Sequence, residues 1–203
     1  MKRTSITDLI ASADDSDVFR IGFFLLPRFS MMAFASAIEP LRSANRLMEK
    51  TIFDWVIASE NGQYTMASNG VEVAATTDLD DLTKCRMIFV CGGIDIQRHC
   101  TKSVISALRM IDRHGVSIGA ICTGTYVLAK AGLLEDRRCT IHWENRDGLM
   151  EEFPDLEVTE ELFEIDTDRI TCSGGTAALD MMLHLIAQAH GNSLATSVSE
   201  QFI

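Results

Sequence analysis

The feature that most constrains this chain is a series of short, almost continuously apolar runs separated by stretches of helical period. Residues 18–26, 53–59, 87–91, 116–121, 139–141 and 169–172 read as strands. A strand with one wet face alternates apolar and polar residues, whereas these runs need cover on both faces, as strands of parallel sheets do. Between them, Met31, Phe34, Ile38, Leu41 and Met48 recur at helical spacing, with Pro40 predicted to kink or restart the helix. Further helices are predicted over 102–114 (ended by Gly115), from Cys122 to a stop at Gly132, and over 176–190 (ended by Gly191). The acidic stretch 151–168 is expected to hold a short antiparallel strand around 162–165. This alternation predicts an α/β layered fold with a mainly parallel sheet. One domain is expected over 18–203, behind a polar, flexible leader at 1–17.

Composition narrows what such a domain does. Eighteen Lys+Arg against 29 Asp+Glu give a net charge of −11, which argues against a nucleic-acid surface in this stretch. An apolar content of 47% excludes disorder as the dominant state. No apolar signal region follows the basic amino terminus, and no run of about 18 apolar residues exists, so a cytoplasmic chain without a membrane segment is expected. The six cysteines (Cys85, Cys91, Cys100, Cys122, Cys139, Cys172) include no C-x-x-C pair and no Cys/His metal spacing. Reduced thiols are expected, with no metal and no cofactor.

Four segments carry candidate chemistry. In the stretch 116–126, an apolar strand runs into Cys122 and a helix begins at once through Thr123 and Gly124. This is the layout of a nucleophile elbow, where a helix amino end lowers a thiol pKa and offers amides to an anion. The same residues also fit a buried strand-end cysteine. Gly92 and Gly93, which end the strand 87–91, would let backbone amides wall an oxyanion pocket, or form only a turn. His142 could serve as a base for Cys122, and Trp143 as one wall of an apolar or cationic pocket; a structural His at a helix start is the plainer reading. Ser173 and Gly174 stand where a strand passes through small residues into a helix, lining a site or forming an N-cap.

At this point the chain resembles a known family. Residues 119–124 (Gly-Ala-Ile-Cys-Thr-Gly), 128–134 and 140–143 (Thr-Ile-His-Trp) are similar to the DJ-1/PfpI superfamily, and more closely to the amino-terminal domain of AraC-type transcription regulators of the GlxA group. Blocks at 23–29, 39–45, 153–154 and 171–180, with Leu183-His184, extend the likeness from about residue 18 to 200. The opening block is most like regulators that sense glycine betaine, carnitine or similar quaternary amines. The resemblance implies a flavodoxin-like three-layer α/β sandwich that binds a small-molecule effector and controls a carboxy-terminal helix-turn-helix pair. That DNA-binding half is absent here, so the chain reads as a sensor domain cut from a longer protein. A homodimer is expected, with the exposed faces of the helices near 31–48 and 176–190 as candidate interfaces. The implied ligand site comprises Gly92, Gly93, Cys122, Thr123, His142, Trp143, Ser173 and Gly174, with Phe29 as a second aromatic wall.

The rival reading is a cysteine-dependent enzyme of the same superfamily, of isonitrile hydratase, glyoxalase or amidase type. PfpI-type proteases resemble Cys-His at the elbow, but Thr123 follows Cys122 here. The hydratases share Cys-Thr, so Thr123 alone does not separate them. Both they and DJ-1-like proteins place a carboxylate early in the first helix, and an ungapped count from 23–26 puts that position on Ala33. Glu39, six residues on, reads as a surface or packing residue. A methyl group cannot move a proton, and general acid–base help is worth about 10²–10⁴-fold in rate. Cys122 is therefore read as a vestigial elbow in a non-catalytic pocket. A ligand-free interaction domain is the third reading.

Overall fold

The structure is a computed structural model describing residues 4–11 and 18–203. Within these the order is α1 (Ile6–Ala11), β1 (Phe19–Leu25), α2 (Met31–Leu47), β2 (Phe53–Ser59), β3 (Tyr64–Met66), β4 (Glu72–Ala74), β5 (Met87–Cys91), α3 (Ile96–His99), α4 (Lys102–Arg113), β6 (Ser117–Ile121) and α5 (Gly124–Lys130). Then follow β7 (Arg138–Cys139), α6 (Trp143–Glu152), β8 (Glu157–Val158), β9 (Phe163–Asp166), β10 (Arg169–Cys172), α7 (Ala177–His190) and α8 (Asn192–Ser199). The central sheet runs β2-β1-β5-β6-β10-β9, parallel except for β9, which pairs antiparallel with β10.

Alternate residues of the strands feed two apolar layers. Ile21, Phe23, Leu25, Met87 and Phe89 pack with α1, α2, α7 and α8, while Phe24, Ile88, Val90, Ile118 and Ala120 pack with α3, α4 and α5. Burial on both faces is why these strands lack polar alternation. Phe23 stacks on Phe89 at 5.9 Å and meets Phe34 of α2 edge-on at 5.5 Å. Each such fully buried ring contributes roughly 1.5–3 kcal/mol. The result is the three-layer, flavodoxin-like α/β sandwich read from the sequence.

The differences are local. Residues 6–11, assigned to a flexible leader, form α1, whose Ile6 and Ile10 are buried at i, i+4 spacing in the core layer of α2 and α7. The Ile6 N–H donates to the Thr167 carbonyl at 2.7 Å, so tertiary cover supplies what a six-residue helix cannot supply alone. The rest of that leader, at 1–3 and 12–17, lies outside the described residues. Pro40 does not restart the first long helix; α2 runs through it from Met31 to Leu47. The run 139–141 is not a strand of the central sheet. Arg138–Cys139 pairs with Glu157–Val158 in a separate two-stranded ribbon. Cys139 and Ile141 owe their apolar character to burial under the second layer.

At the amino end of β10, Arg169 is almost fully buried. It pairs with Asp112 at the end of α4 and with Asp168 at 2.6 Å, and its Nε donates to the Leu133 carbonyl at 2.9 Å. Arg137 approaches Asp168 at 3.3 Å from outside. This charge cluster ties α4, the segment after α5 and the sheet together at the edge opposite the elbow.

Candidate functional site

The loops that follow the carboxyl ends of β1, β5, β6 and β10 converge on one sheet edge, where open α/β folds place ligands. Cys122 sits there with φ +60°, a left-handed conformation that costs a non-glycine residue about 1–3 kcal/mol. Its surroundings hold it. The Cys122 N–H donates to the Cys172 carbonyl at 3.0 Å, and the Thr123 hydroxyl donates to the Gly93 carbonyl at 2.7 Å. Gly174, at φ +93°, presses its backbone against the elbow: a Cβ there would lie 2.7 Å from the Cys122 Cβ. This is the elbow geometry read from the stretch 116–126.

Gly93 locks the next loop. It bridges Phe29 in an antiparallel pair, with the Ser30 N–H on the Gly92 carbonyl at 3.1 Å and the Ile94 N–H on the Arg28 carbonyl at 3.1 Å. A Cβ on Gly93 would overlap the Arg28 carbonyl oxygen. Gly93→Ala should therefore cost about 1–3 kcal/mol or more, the usual range for forced overpacking. A urea midpoint equal to wild type would contradict this contact.

Threonine hydroxyls position the other wall. Thr125 of α5 donates to the Thr140 carbonyl at 2.8 Å, the Thr140 N–H donates to the Thr171 hydroxyl at 2.9 Å, and the Thr140 hydroxyl donates to the Glu161 carbonyl at 2.8 Å. The segment leading to His142 is thus tied to the elbow helix, to β10 and to the 159–161 loop. Ser173 joins that loop through its N–H and hydroxyl, both on the Leu162 carbonyl at 2.9 and 3.1 Å.

The predicted site residues occupy two adjoining cavities rather than one. Gly93, Cys122, Thr123 and His142 line a cleft of about 480 Å³ together with Ser30, Met32, Ser68, Ile94, Asp95, Glu144 and Asn145. Trp143, Ser173 and Gly174 line a second cavity of about 350 Å³ with Arg146, Glu160, Glu161 and Leu162. His142 and Gly175 belong to both. Trp143 is 74% exposed and does not wall the Cys122 cleft, because α6 starts there and carries the indole outward. Phe29 is fully buried against Phe34 and offers no aromatic wall to a ligand. Gly92 does not line the cleft, and its N–H is spent on the Ile121 carbonyl at 3.1 Å, so it supplies no oxyanion amide.

Burial overrides the expected acidification of the elbow thiol. Desolvation pushes Cys122 up to about 11, against a smaller opposing hydrogen bond from the Thr123 backbone. Cys122 is therefore a protonated thiol near neutral pH. Ala33 is fully buried in the apolar layer that also includes Cys122, and its N–H donates to the hydroxyl oxygen of the N-cap Ser30 at 3.3 Å. Glu39 bonds Arg42 on the surface of its own helix at 2.7 Å. The two carboxylates of the cleft are engaged: Asp95 pairs with Arg28, and Glu144 lies 3.8 Å from His142 Nδ1.

The sequence reading missed Ser30, Ser68, Asp95 and Glu144. Ser30 and Asp95 were within reach of it, since both follow strands whose carboxyl ends share the elbow's edge. Ser68 arrives from the β3–β4 hairpin, whose Met66 carbonyl accepts the Arg28 N–H at 2.8 Å, and no local signal announces that contact. All six cysteines are free thiols. Among the described residues, no group of three or more His, Cys, Asp or Glu is placed to hold a metal, and no helix is long and apolar enough to cross a membrane.

Residues 20–188 match the DJ-1/PfpI family. The chain is 51% identical over 181 residues to the HTH-type transcriptional regulator CdhR of Pseudomonas aeruginosa, covering 89% of this chain and 54% of that protein. It is 39% identical to the HTH-type transcriptional regulator GlxA of Rhizobium meliloti, covering 96% of this chain and 60% of that one. The chain thus spans little more than half the length of these relatives. A crystal structure of an AraC family transcriptional regulator from Pseudomonas putida superposes with a TM-score of 0.81 at 30% identity, over 91% of this chain and all of the other. With the match spanning the sheet, the elbow and most of α7, the chain belongs to the DJ-1/PfpI family.

Proposed function

We propose that this chain is the effector-sensing domain of an AraC-type transcription regulator. It binds a small metabolite beside Cys122 without transforming it, and so controls DNA binding by a helix-turn-helix domain elsewhere in the parent protein. The observation that carries this reading is the state of the thiol. Cys122 is pushed up to about 11 by burial, and the helix position that would bring it a carboxylate is the core methyl group of Ala33. An elbow without that carboxylate favours recognition over turnover. The likeness to regulators supports the same conclusion.

The cleft suits a small zwitterion or cation. Glu144 and the Arg28-paired Asp95 bring carboxylate oxygens, Ser30 and Ser68 bring hydroxyl groups, and Met32 and Ile94 add apolar surface. A quaternary amine or an amino-acid-like compound fits this chemistry. In this reading a head group that extends past His142 into the second cavity gains a cation–π contact of about 0.5–2 kcal/mol from Trp143. The parent protein acts as a cytoplasmic homodimer on paired half-sites in this reading.

Calorimetry with glycine betaine, carnitine, choline and arginine tests the sensor role, with saturable binding of at least one expected. Trp143→Ala should weaken that binding; unchanged affinity would refute the aromatic contribution. Iodoacetamide should label Cys122 far more slowly than a free thiol at pH 7.5, with the rate rising about tenfold per pH unit toward pH 11. Steady turnover of an isocyanide, an α-oxoaldehyde or an amide, abolished by Cys122→Ser, would establish the enzyme reading instead.

A further inference from the structure

Helix α6 presents an apolar face that the described residues leave largely uncovered. Trp143 and Met150 stand seven residues apart, two helical turns, and so point the same way. They are 74% and 46% exposed, and Leu162, which shares the second cavity with Trp143, is 57% exposed. Large apolar side chains grouped on a surface mark an interaction site more often than scattered ones do. The surrounding charge identifies the partner. Every carboxylate between residues 144 and 161 is exposed, eight in all, against the single guanidinium of Arg146, which is itself tied to Glu160. Residues 144–161, which follow Trp143 and include Met150, thus hold seven of the chain's eleven net negative charges, and Glu152 among them is paired to a cation outside the segment, Lys130 of α5.

We propose that this face docks the basic helix-turn-helix domain of the same regulator when no effector is bound, occupying side chains that would otherwise meet DNA phosphates. The proposal rests on the sensor reading above. A DNA-binding domain must present clustered Lys and Arg, which is the complement of this surface. A second copy of the present chain would instead set one acidic face against another. His142 caps α6 and also lines the effector cleft, so effector and docked domain act on the same helix end. An effector that binds the undocked arrangement better would release the DNA-binding domain.

The test compares amide hydrogen exchange over residues 143–162 in this chain and in the effector-free full-length regulator. Exchange there should be at least fivefold slower in the full-length protein, and 0.5 M salt should remove most of the difference by screening. Trp143→Ser combined with Glu151→Gln and Glu157→Gln should abolish the protection. The same variant should bind an arbitrary 30-base-pair duplex about fivefold more tightly, with sedimentation unchanged. Equal exchange in the two proteins would overturn the proposal. So would protection that appears in this chain alone and grows with its concentration, since a second copy would then cover the face. If calorimetry still finds an effector, only the docking fails; if the parent reading frame encodes no helix-turn-helix domain, the sensor reading falls and the docking with it.

Discussion

Arg169→Ala is expected to destabilise the protein by about 3–5 kcal/mol, the cost of removing one partner from a buried charge cluster. The mutation leaves Asp112 and Asp168, both nearly buried, facing each other's neighbourhood without the guanidinium that binds them. It also strips the Leu133 carbonyl of its 2.9 Å donor. Arg137 cannot substitute, since it reaches Asp168 only from the solvent side, at 3.3 Å. Arg20→Ala is the control. Its pair with Asp54 has side chains 46% and 41% exposed, and pairs of that kind contribute roughly 0–1 kcal/mol. Urea unfolding of both variants checks the difference; equal losses would mean that burial is not what makes the Arg169 cluster matter. Adding Asp112→Asn and Asp168→Asn to an Arg169→Met protein should recover part of the loss, because no unpaired charge then remains.

Stability should also fall steeply in alkali. Burial pushes Cys85 and Cys122 up to about 11, and Cys139 and Cys172 up to about 12. In the unfolded chain these thiols ionise near their ordinary value of about 8.5. Below that value both states hold the proton and stability does not depend on it. Above it the unfolded chain releases protons that the folded chain retains, so unfolding becomes easier with each step in pH until the folded thiols ionise too. The loss is about 1.4 kcal/mol per pH unit for each thiol so shifted, and Cys91, raised well above its ordinary value by full burial, adds to it. Urea midpoints at pH 8, 9 and 10 measure it, and Cys85→Ala with Cys139→Ala should make the slope shallower. A flat profile to pH 10 would show that the thiols are not desolvated as described.

Much of the architecture was legible from local pattern. The runs at 53–59, 87–91 and 169–172 match β2, β5 and β10 residue for residue; β5 and β10 are buried along their whole length, and β2 is bounded by buried Phe53 and Ser59. The glycines at 115, 132 and 191 all adopt positive φ just past helices, as their positions implied. Cys122 was readable as an elbow because a strand that meets a helix with no intervening loop must turn sharply at one residue. The same local logic failed where apolar character had a different cause. Cys139 and Ile141 are apolar because loops and helices cover them, which a strand pattern cannot distinguish from sheet burial. Ile6 and Ile10 were too few to announce a helix that is held by α7, α2 and the Thr167 carbonyl.

The amino-acid sequence by itself determined the alternation of strands and helices, most of the central strands and the strained turn at Cys122, since periodicity and glycine placement act over a few neighbouring residues. Only the tertiary structure decided which groups share a cavity, that Trp143 faces outward while Phe29 faces inward, and that the Cys122 thiol keeps its proton. Those outcomes depend on desolvation and on contacts between segments distant in the chain, such as Ser68 beside Phe29 and Gly174 against Cys122. Such pairings become physical only when the sheet brings its carboxyl ends together.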